Sequence, residues 1–504
     1  MQRLLDRLTC QKDWQNHCLA FVYGLVMTFA YAPFGQWYLV FPVFLLLCWP
    51  LPQLTARQSL YRGLWFGLGY FGAGMSWVYI SIYYFGDTGV ILSTLFTIAL
   101  VSLLAVFPAL ALSCLNRFFK NYSITAYWLA AWPLAWLGFE WLRSWIFTGL
   151  PWLNLGHTQI DGPLSAFYPV LGANLVSLLI CWFVGIAILL LRRNSGVMVA
   201  SGLAAIILIS TVVFTDKTWV TPRGESLSVI SIQPKVAQDK KWDPAYRIES
   251  MWYLLDNTQG LKEDLVIWPE AAIPALPHQV LDFLETVDAL AVSQNQTVLT
   301  GIPLYEDDKF YNGIILLGND QGEYRKRHLV PFGEYVPYEE QLRGLISFFD
   351  MPMSSFSKGQ FKQPQLKIAG HTVAMAICYE IIFQDLVEQQ IQGADYLVTL
   401  SNDAWFGDSH GPVQHLEIAR IRALENGIPI IRSTNDGVSA FIDADGKLLK
   451  TLGKGVRGNI AHEVELYSGS TWYRNIGPLY SWVILFSVLI LPLLFAGLRQ
   501  KLNG

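Results

Sequence analysis

Charge is scarce in this chain. Only 15% of its 504 residues are Asp, Glu, Lys or Arg, and 39 acidic against 35 basic side chains leave a formal net charge of −4. Neither sign is concentrated and no long Lys/Arg tract occurs, which excludes nucleic acid as an expected partner. Cysteine is scarce too, and unevenly placed. Of six, Cys10, Cys18, Cys48, Cys114 and Cys181 lie in the first 200 residues, in or beside hydrophobic runs, whereas Cys378 stands alone in the large polar segment. That distribution excludes a disulfide framework in the polar segment. Internal repeats, low-complexity tracts and flexible linkers are absent as well, so no solenoid or tethered array is expected.

What is abundant is apolar. A hydrophobic content of 53% is too high for two soluble domains, and 19 tryptophans suit the interfacial belts of membrane spans. A hydrocarbon core about 30 Å thick needs about 20 apolar helical residues. Seven runs before residue 215 meet or approach that length, at 18–34, 37–50, 64–84, 89–112, 126–146, 166–191 and 197–214, and an eighth covers 479–498. Ala30-Tyr31-Ala32 imitates a signal-peptide cleavage site, but Pro33 and six further runs follow, so the first run is read as a retained helix. Basic residues recur in alternate short connections: Arg3, Arg7 and Lys12, then Arg57 and Arg62, Arg117 and Lys120, Arg192 and Arg193, and finally Arg499 and Lys501. The connections near Gly35 and Gly86 carry none. Because basic loops resist translocation, both termini are expected in the cytoplasm and the segment 215–478 outside it. The expected domains are 1–217 with seven transmembrane helices, 218–476 with the polar domain, and 477–504 with a last helix and a cytoplasmic tail.

From Ser226 the pattern changes to short apolar runs separated by amphipathic stretches: SLSVISIQP, DLVIWPE, TVLTGIP, YNGIILLG, TVAMAICYE, ADYLVTLSND and PIIRSTNDGVSAFIDADG. Helix-like stretches start at Ala245, Val280 and Pro412, the last closed by Gly427. Buried runs of four to eight residues alternating with helices predict an α/β layered domain. The turn signal Asp443-Ala444-Asp445-Gly446 predicts a hairpin between its last strands.

Ligands gather at the carboxyl ends of strands in such sheets. Glu270 follows Val-Ile-Trp-Pro, Cys378 follows Val-Ala-Met-Ala-Ile, and Asp403 ends Leu-Val-Thr-Leu-Ser-Asn-Asp. A basic cluster, Arg325-Lys326-Arg327-His328, follows the strand-like Ile314–Leu317 and its polar turn. A cysteine nucleophile needs a base, because a free thiol is mostly protonated at neutral pH, and Glu270 is a candidate. The oxyanion formed at an attacked carbonyl needs a positive or hydrogen-bonding partner, for which Lys326 with a backbone N–H after the cysteine would serve. Arginine would stabilise an oxyanion equally well, so the residues alone do not choose Lys326 over its neighbours. His410 and His415 are five apart, which does not align two ligands on one helical face, and no metal is expected. Glu140 and Arg143, three apart near one end of the fifth run, suit a structural ion pair or a phosphate contact.

Trp-Pro-Glu at 268–270, Tyr-Arg-Lys-Arg-His-Leu-Val-Pro-Phe-Gly-Glu at 324–334 and Ala-Ile-Cys-Tyr-Glu at 376–380 resemble the Glu-Lys-Cys signature of the nitrilase superfamily. With seven spans before the domain and one after, the whole chain resembles the membrane-embedded apolipoprotein N-acyltransferase family within it. The resemblance implies a polytopic α-helical bundle of about eight spans joined to an αββα sandwich. It also implies Cys378 as nucleophile, Glu270 as base and Lys326 as oxyanion stabiliser, and so chooses among the basic neighbours. Glu334, Tyr379 and Glu380 would be supporting residues, and Trp242 in Lys-Lys-Trp-Asp would sit on a mobile loop over the cleft. The segments 352–357, 401–407 and 432–437 are similar too, with Asp436 where the family often has asparagine. The implied reaction moves an acyl chain from a phospholipid, typically phosphatidylethanolamine, through a cysteine thioester to the N-terminal amine of a diacylglyceryl-modified apolipoprotein. It takes place in the bacterial inner membrane with the catalytic domain in the periplasm, and no cofactor is implied. Two rivals are a membrane-anchored amidase, for which eight spans are superfluous, and a transporter, for which mid-membrane polar groups are too few.

Overall fold

The computed structural model describes residues 13–86, 88–194, 196–337 and 355–503. Cys10, the basic residues Arg3, Arg7 and Lys12, and positions 352–354 of the Pro-Met-Ser-Ser-Phe-Ser segment lie outside them. Two compact units emerge: residues 1–79, 94–218 and 475–504 form one, and residues 80–93 with 219–474 form the other.

The first unit is helical. Among the described residues, four helices are long and apolar enough to cross a membrane, namely Gly89–Phe118, Pro163–Arg192, Val197–Thr215 and Trp472–Leu498. They carry four of the expected runs. The other four are helical only in shorter pieces, and the sequence explains each break. The first run is a helix over Asp13–Met27 that tightens into a 3-10 turn at Thr28–Ala30, just ahead of Pro33. The second is a helix of nine residues, Val40–Cys48, with Pro50 and Pro52 beyond its end. The run 64–84 splits: Thr55 caps a helix over Ala56–Gly74 with a reciprocal Gln58 bond, and a separate helix, Trp77–Phe85, follows. Arg62 is therefore a helix residue rather than a loop charge, and it is buried with its guanidinium on the carbonyls of Leu46 and Leu47. The fifth run opens with a π-type turn at Tyr127–Ala131 before the helix Trp132–Arg143. Glu140 and Arg143 are both spent on the following loop: Glu140 accepts from the Leu155 N–H at 2.7 Å, while Arg143 donates to the Leu150 carbonyl and to Asn154 Oδ1 at 2.8 and 2.6 Å. Each charge thus serves the loop, and the direct ion pair that their spacing suggested is not formed among the described residues.

The second unit is built on two six-stranded sheets. Strands β1 (Val220–Gln233), β2 (Leu265–Ile267), β3 (Thr297–Glu306), β4 (Lys309–Gly318) and β5 (Gly322–Arg325) form one sheet, completed beyond β1 by β12 (Gly458–Gly469). The other is β6 (Leu366–Ile368), β7 (His371–Ile377), β8 (Tyr396–Ser401), β9 (Ile430–Thr434), β10 (Ser439–Ile442) and β11 (Leu448–Leu452), in that spatial order. Each sheet has a parallel centre, β1-β2-β3 in one and β7-β8-β9 in the other, flanked by antiparallel pairs.

Alternation along the strands decides the layers. Val373, Met375 and Ile377 of β7 meet Leu265, Ile267, Leu299 and Ile314 of the facing sheet in one buried cluster between the sheets. On the other face of the first sheet, Ile230, Ile232, Val266 and Val298 pack against Met251, Leu254, Leu284 and Val287 of the helices Pro244–Asp256 and Leu281–Ser293. The helices Gln384–Ile391 and Gly411–Asn426 belong to the second half, and the latter ends on Gly427 in the left-handed region. The order is helix, sheet, sheet, helix. Asp443 to Gly446 turns β10 into β11, but β12 follows and crosses to pair with β1 in the other sheet.

Candidate active site

Glu270 sits beyond β2, where Trp268-Pro269 ends the strand and Ala271 adopts a positive φ of 46°. Gly301 of neighbouring β3 makes that turn fit. A Cβ there would lie 2.5 Å from the Ala271 nitrogen and 2.8 Å from the Glu270 Cα, closer than atoms pack. The carboxylate is buried and does not stand alone. Its Oε1 accepts from Asn312 Nδ2 at 2.8 Å and from Lys326 Nζ at 3.4 Å.

Lys326 follows the last residue of β5 and is 1% exposed. Its Nζ donates to Glu334 Oε1 at 2.9 Å as well as to Glu270. Burial disfavours its charge, but the carboxylates of Glu334 and Glu270 more than offset that and raise the ammonium pKa. The neighbours point elsewhere. Arg325 pairs on the surface with Glu306 and Glu323, and Arg327 donates to the Phe361 carbonyl at 2.8 Å. Alternation at the strand end thus turns one basic residue of three toward the carboxylates, a choice the charges alone did not make.

Asn312, in β4, is the cross-link that sequence reasoning missed. The same Nδ2 donates to Glu270 Oε1 and to Glu334 Oε1, each at 2.8 Å, and its backbone carbonyl accepts from the Lys326 N–H at 2.8 Å. The available signal was a polar Asn-Gly pair inside an otherwise apolar strand. Glu334 is held from its other oxygen by the Val330 N–H at 2.8 Å.

Cys378 lies at the carboxyl end of β7, half-buried, with a φ of 51°. That left-handed conformation is costly for a residue with a Cβ and swings the chain into a 3-10 turn over Cys378–Ile382. Burial, then the Glu270 carboxylate, pushes the thiol up to about 12, against the opposing pull of Lys326. The resting sulfur is therefore a thiol, which could act as a nucleophile only with a base to take its proton.

Glu380 is a brace. Buried, it accepts from the N–H groups of Arg327 and Ile377 at 2.7 and 2.8 Å and from the Tyr324 hydroxyl at 3.0 Å, tying the segment that carries Lys326 to the strand that carries Cys378. Tyr379 packs its ring against His328 and Phe383, with centroids 5.7 and 4.9 Å away. Trp242 is half-buried and its indole N–H has no hydrogen-bond partner among the described residues. Its predecessor Lys241, unremarked in the sequence, is buried and donates to the Glu270 carbonyl at 2.8 Å. Burial pulls that ammonium down to about 8. The loop carrying both is fastened by Asn435, whose side chain bonds the Val236 backbone in both directions, and by Asn402, which donates to Gln238 at 2.5 Å.

Asp403, two residues beyond β8 at the start of a 3-10 turn, is fully buried and accepts from Arg432 Nη2 at 2.6 Å and Ser401 Oγ at 2.6 Å. Burial opposes its charge, but Arg432 and His415 outweigh it and hold the carboxyl well below the usual carboxylate range. No cluster of three or more His, Cys, Asp or Glu placed to hold a metal occurs among the described residues. The arrangement, a thiol on a strained strand end beside a carboxylate–ammonium–carboxylate row, is equipped for proton removal and oxyanion stabilisation in acyl transfer.

Two family profiles match the sequence: one described as the apolipoprotein N-acyltransferase N-terminal domain over residues 23–186, the other as carbon-nitrogen hydrolase over residues 228–474. An apolipoprotein N-acyltransferase of Vibrio cholerae is 42% identical over 481 residues, covering 92% of this chain and 94% of that one. One of Pseudomonas aeruginosa is 36% identical over 476 residues, covering 93% of each. Among solved structures, Saccharomyces cerevisiae Nit3, a nitrilase-superfamily member, is 19% identical with a TM-score of 0.37, covering 49% of this chain and 92% of that one.

Proposed function

Because the chain belongs to the apolipoprotein N-acyltransferase family, an acyltransferase family acting on lipoproteins, we propose that it N-acylates apolipoproteins by a two-step exchange on Cys378. Glu270 takes the thiol proton as the sulfur attacks an acyl ester of a phospholipid, phosphatidylethanolamine being the expected donor. The ester carbonyl oxygen becomes an oxyanion stabilised by Lys326. The intermediate collapses, the lysophospholipid oxygen leaves with the proton held by Glu270, and the acyl group remains on sulfur as a thioester. The α-amine of an S-diacylglyceryl cysteine then attacks that thioester. Its proton passes to Glu270, the carbon–sulfur bond breaks, and the sulfur regains a proton as the amide product departs.

The observation that carries this reading is the shared environment of three residues far apart in the chain: Glu270 and Lys326 are paired, and both bear electrostatically on the Cys378 thiol. Glu334, Asn312 and Glu380 hold that geometry, and Tyr379 flanks the nucleophile. Trp242, on the loop pinned by Lys241, is assigned to the substrate-covering segment. Four membrane-length helices support residence in a membrane, which this reading takes to be the bacterial inner membrane, and the alternation of the remaining basic connections, Arg62 apart, supports both termini cytoplasmic and the catalytic domain periplasmic. We assign residues 1–217 and 477–504 to the membrane and 218–476 to catalysis.

In reconstituted vesicles containing phospholipid with a labelled acyl chain, Glu270→Gln and Lys326→Ala are expected to insert normally but to form no labelled enzyme. Wild-type labelling in either variant would remove that residue from the mechanism. Continuous release of free fatty acid by the wild type without an amine acceptor would favour a hydrolase instead.

A further inference from the structure

His415 is the second histidine that the sequence offered and the acyl-transfer scheme leaves unused. It is 1% exposed, on the helix Gly411–Asn426, and both ring nitrogens are directed. Nε2 lies 3.1 Å from the backbone carbonyl oxygen of Cys378. Nδ1 lies 3.2 Å from Asp403 Oδ1 and 3.1 Å from Arg432 Nη2. Arg432 in turn donates to Asp403 Oδ2 at 2.6 Å, and a Cβ at Gly437 would fall 2.7 Å from that same oxygen, so the carboxylate has little room to move.

A carbonyl oxygen only accepts, so the contact to Cys378 requires the proton on Nε2. The ring is therefore not arranged as the base of a Cys–His pair, in which the imidazole faces the sulfur. It grips the peptide instead. Cys378 holds a left-handed φ of 51°, which is unfavourable for a residue with a Cβ, and such conformations persist where the surroundings over-determine them. The planar trans peptide places its C=O and its N–H on opposite edges. Fixing the Cys378 carbonyl toward His415, inside the protein, fixes the Tyr379 N–H in the opposite direction.

We propose that His415, whose Nδ1 accepts from an Arg432 guanidinium that is itself anchored on Asp403, is a positioning residue that sets the Cys378–Tyr379 peptide plane and so aims the Tyr379 N–H at the oxygen of the attacked carbonyl, opposite Lys326. This role rests on the acyl-transfer reading of Cys378. It explains why a buried Arg–Asp–His row backs a nucleophile it does not deprotonate. Oxyanion donors act through alignment, and losing one outright costs about 10²–10³ in rate. A tilted donor is expected to cost less, about 10- to 100-fold.

The test compares two reactions at the same sulfur. Acylation by phospholipid passes through an oxyanion, whereas alkylation by iodoacetamide displaces iodide at a saturated carbon and forms none. His415→Phe, which removes the donor but keeps a ring, is expected to slow single-turnover acylation about 10- to 100-fold while alkylation stays within about twofold of wild type. His415→Gln restores an N–H donor and is expected to recover most of the acylation rate. The role of His415 is overturned if the Phe variant acylates like wild type, if alkylation falls as far as acylation, or if the Gln variant recovers nothing. Failure of the wild-type thiol to accept any acyl chain is a separate result, and it would bring down the acyl-transfer reading itself.

Discussion

Asn312→Ala tests how the two carboxylates and the lysine are held together. In the native site one amide group donates to Glu270 and to Glu334, both at 2.8 Å, and the residue is 5% exposed. A hydrogen bond to a charged group contributes about 1.5–3 kcal/mol. Removing two gives a gross loss of about 3–6 kcal/mol, and a water entering the vacated polar space returns part of it. A net destabilisation of about 2–4 kcal/mol is expected, read as a lowered melting temperature of the protein in nanodiscs. With one donor gone, both carboxylates compete for Lys326, and Glu270 shifts from the position in which its charge bears on the Cys378 thiol. If about 1.5–3 kcal/mol of the loss appears in the acylation barrier, single-turnover labelling slows about 10- to 150-fold. Asn312→Asp should be worse, since a third carboxylate replaces the donor. An Asn312→Ala protein that melts and acylates like wild type would refute the cross-link.

Gly301→Ala should injure both stability and acylation, because the new methyl would meet the backbone of residues 269–271 at 2.5–2.8 Å and must push the Glu270 turn away from β3; melting and labelling assays that both match wild type would contradict this. With the resting Cys378 thiol near 12, iodoacetamide alkylation of the wild type should rise about tenfold per pH unit between about 7 and 10, and a plateau below pH 9 would show a thiolate already formed. Asp403 is depressed in the folded state, so its ion pair stabilises above the ordinary carboxylate pKa and that contribution fades as pH falls through the depressed value. The melting gap between wild type and Asp403→Asn should therefore be constant from about pH 6 to 8 and shrink below about pH 4; a gap that widens in acid would reverse the assignment.

The layered fold and three of its strand-end residues were legible because a buried strand that stops abruptly on a charged or reactive residue is a local pattern. Glu270, Cys378 and Asp403 all have it. Lys326 was not separable from Arg325 and Arg327 on physical grounds, since the choice depends on which side of β5 faces Glu334, and it took the family resemblance or the structure to make it. Asn312 and His415 escaped for a different reason. Their partners are supplied by other strands and helices, so nothing near them in sequence marks the contact. Strand β12 went unnoticed because only Ile460, Val464 and Leu466 face the core while its other face is polar. In the helical unit, hydropathy marked the apolar runs but not their breaks: the splitting of 64–84 reflects the end of one helix at Gly74 and the start of the next at Trp77, backbone events that an average over 20 residues smooths away.

The central claim is that Cys378 carries the acyl chain, and mass spectrometry of the Cys378 peptide tests it most directly. Protein purified from phospholipid vesicles without an acceptor should show a fatty-acyl thioester on that residue, lost within one turnover when an S-diacylglyceryl-cysteinyl peptide is added and recovered as an amide on the peptide's α-amine. An unmodified Cys378 together with acylated acceptor would mean direct transfer without the cysteine, and would contradict the account.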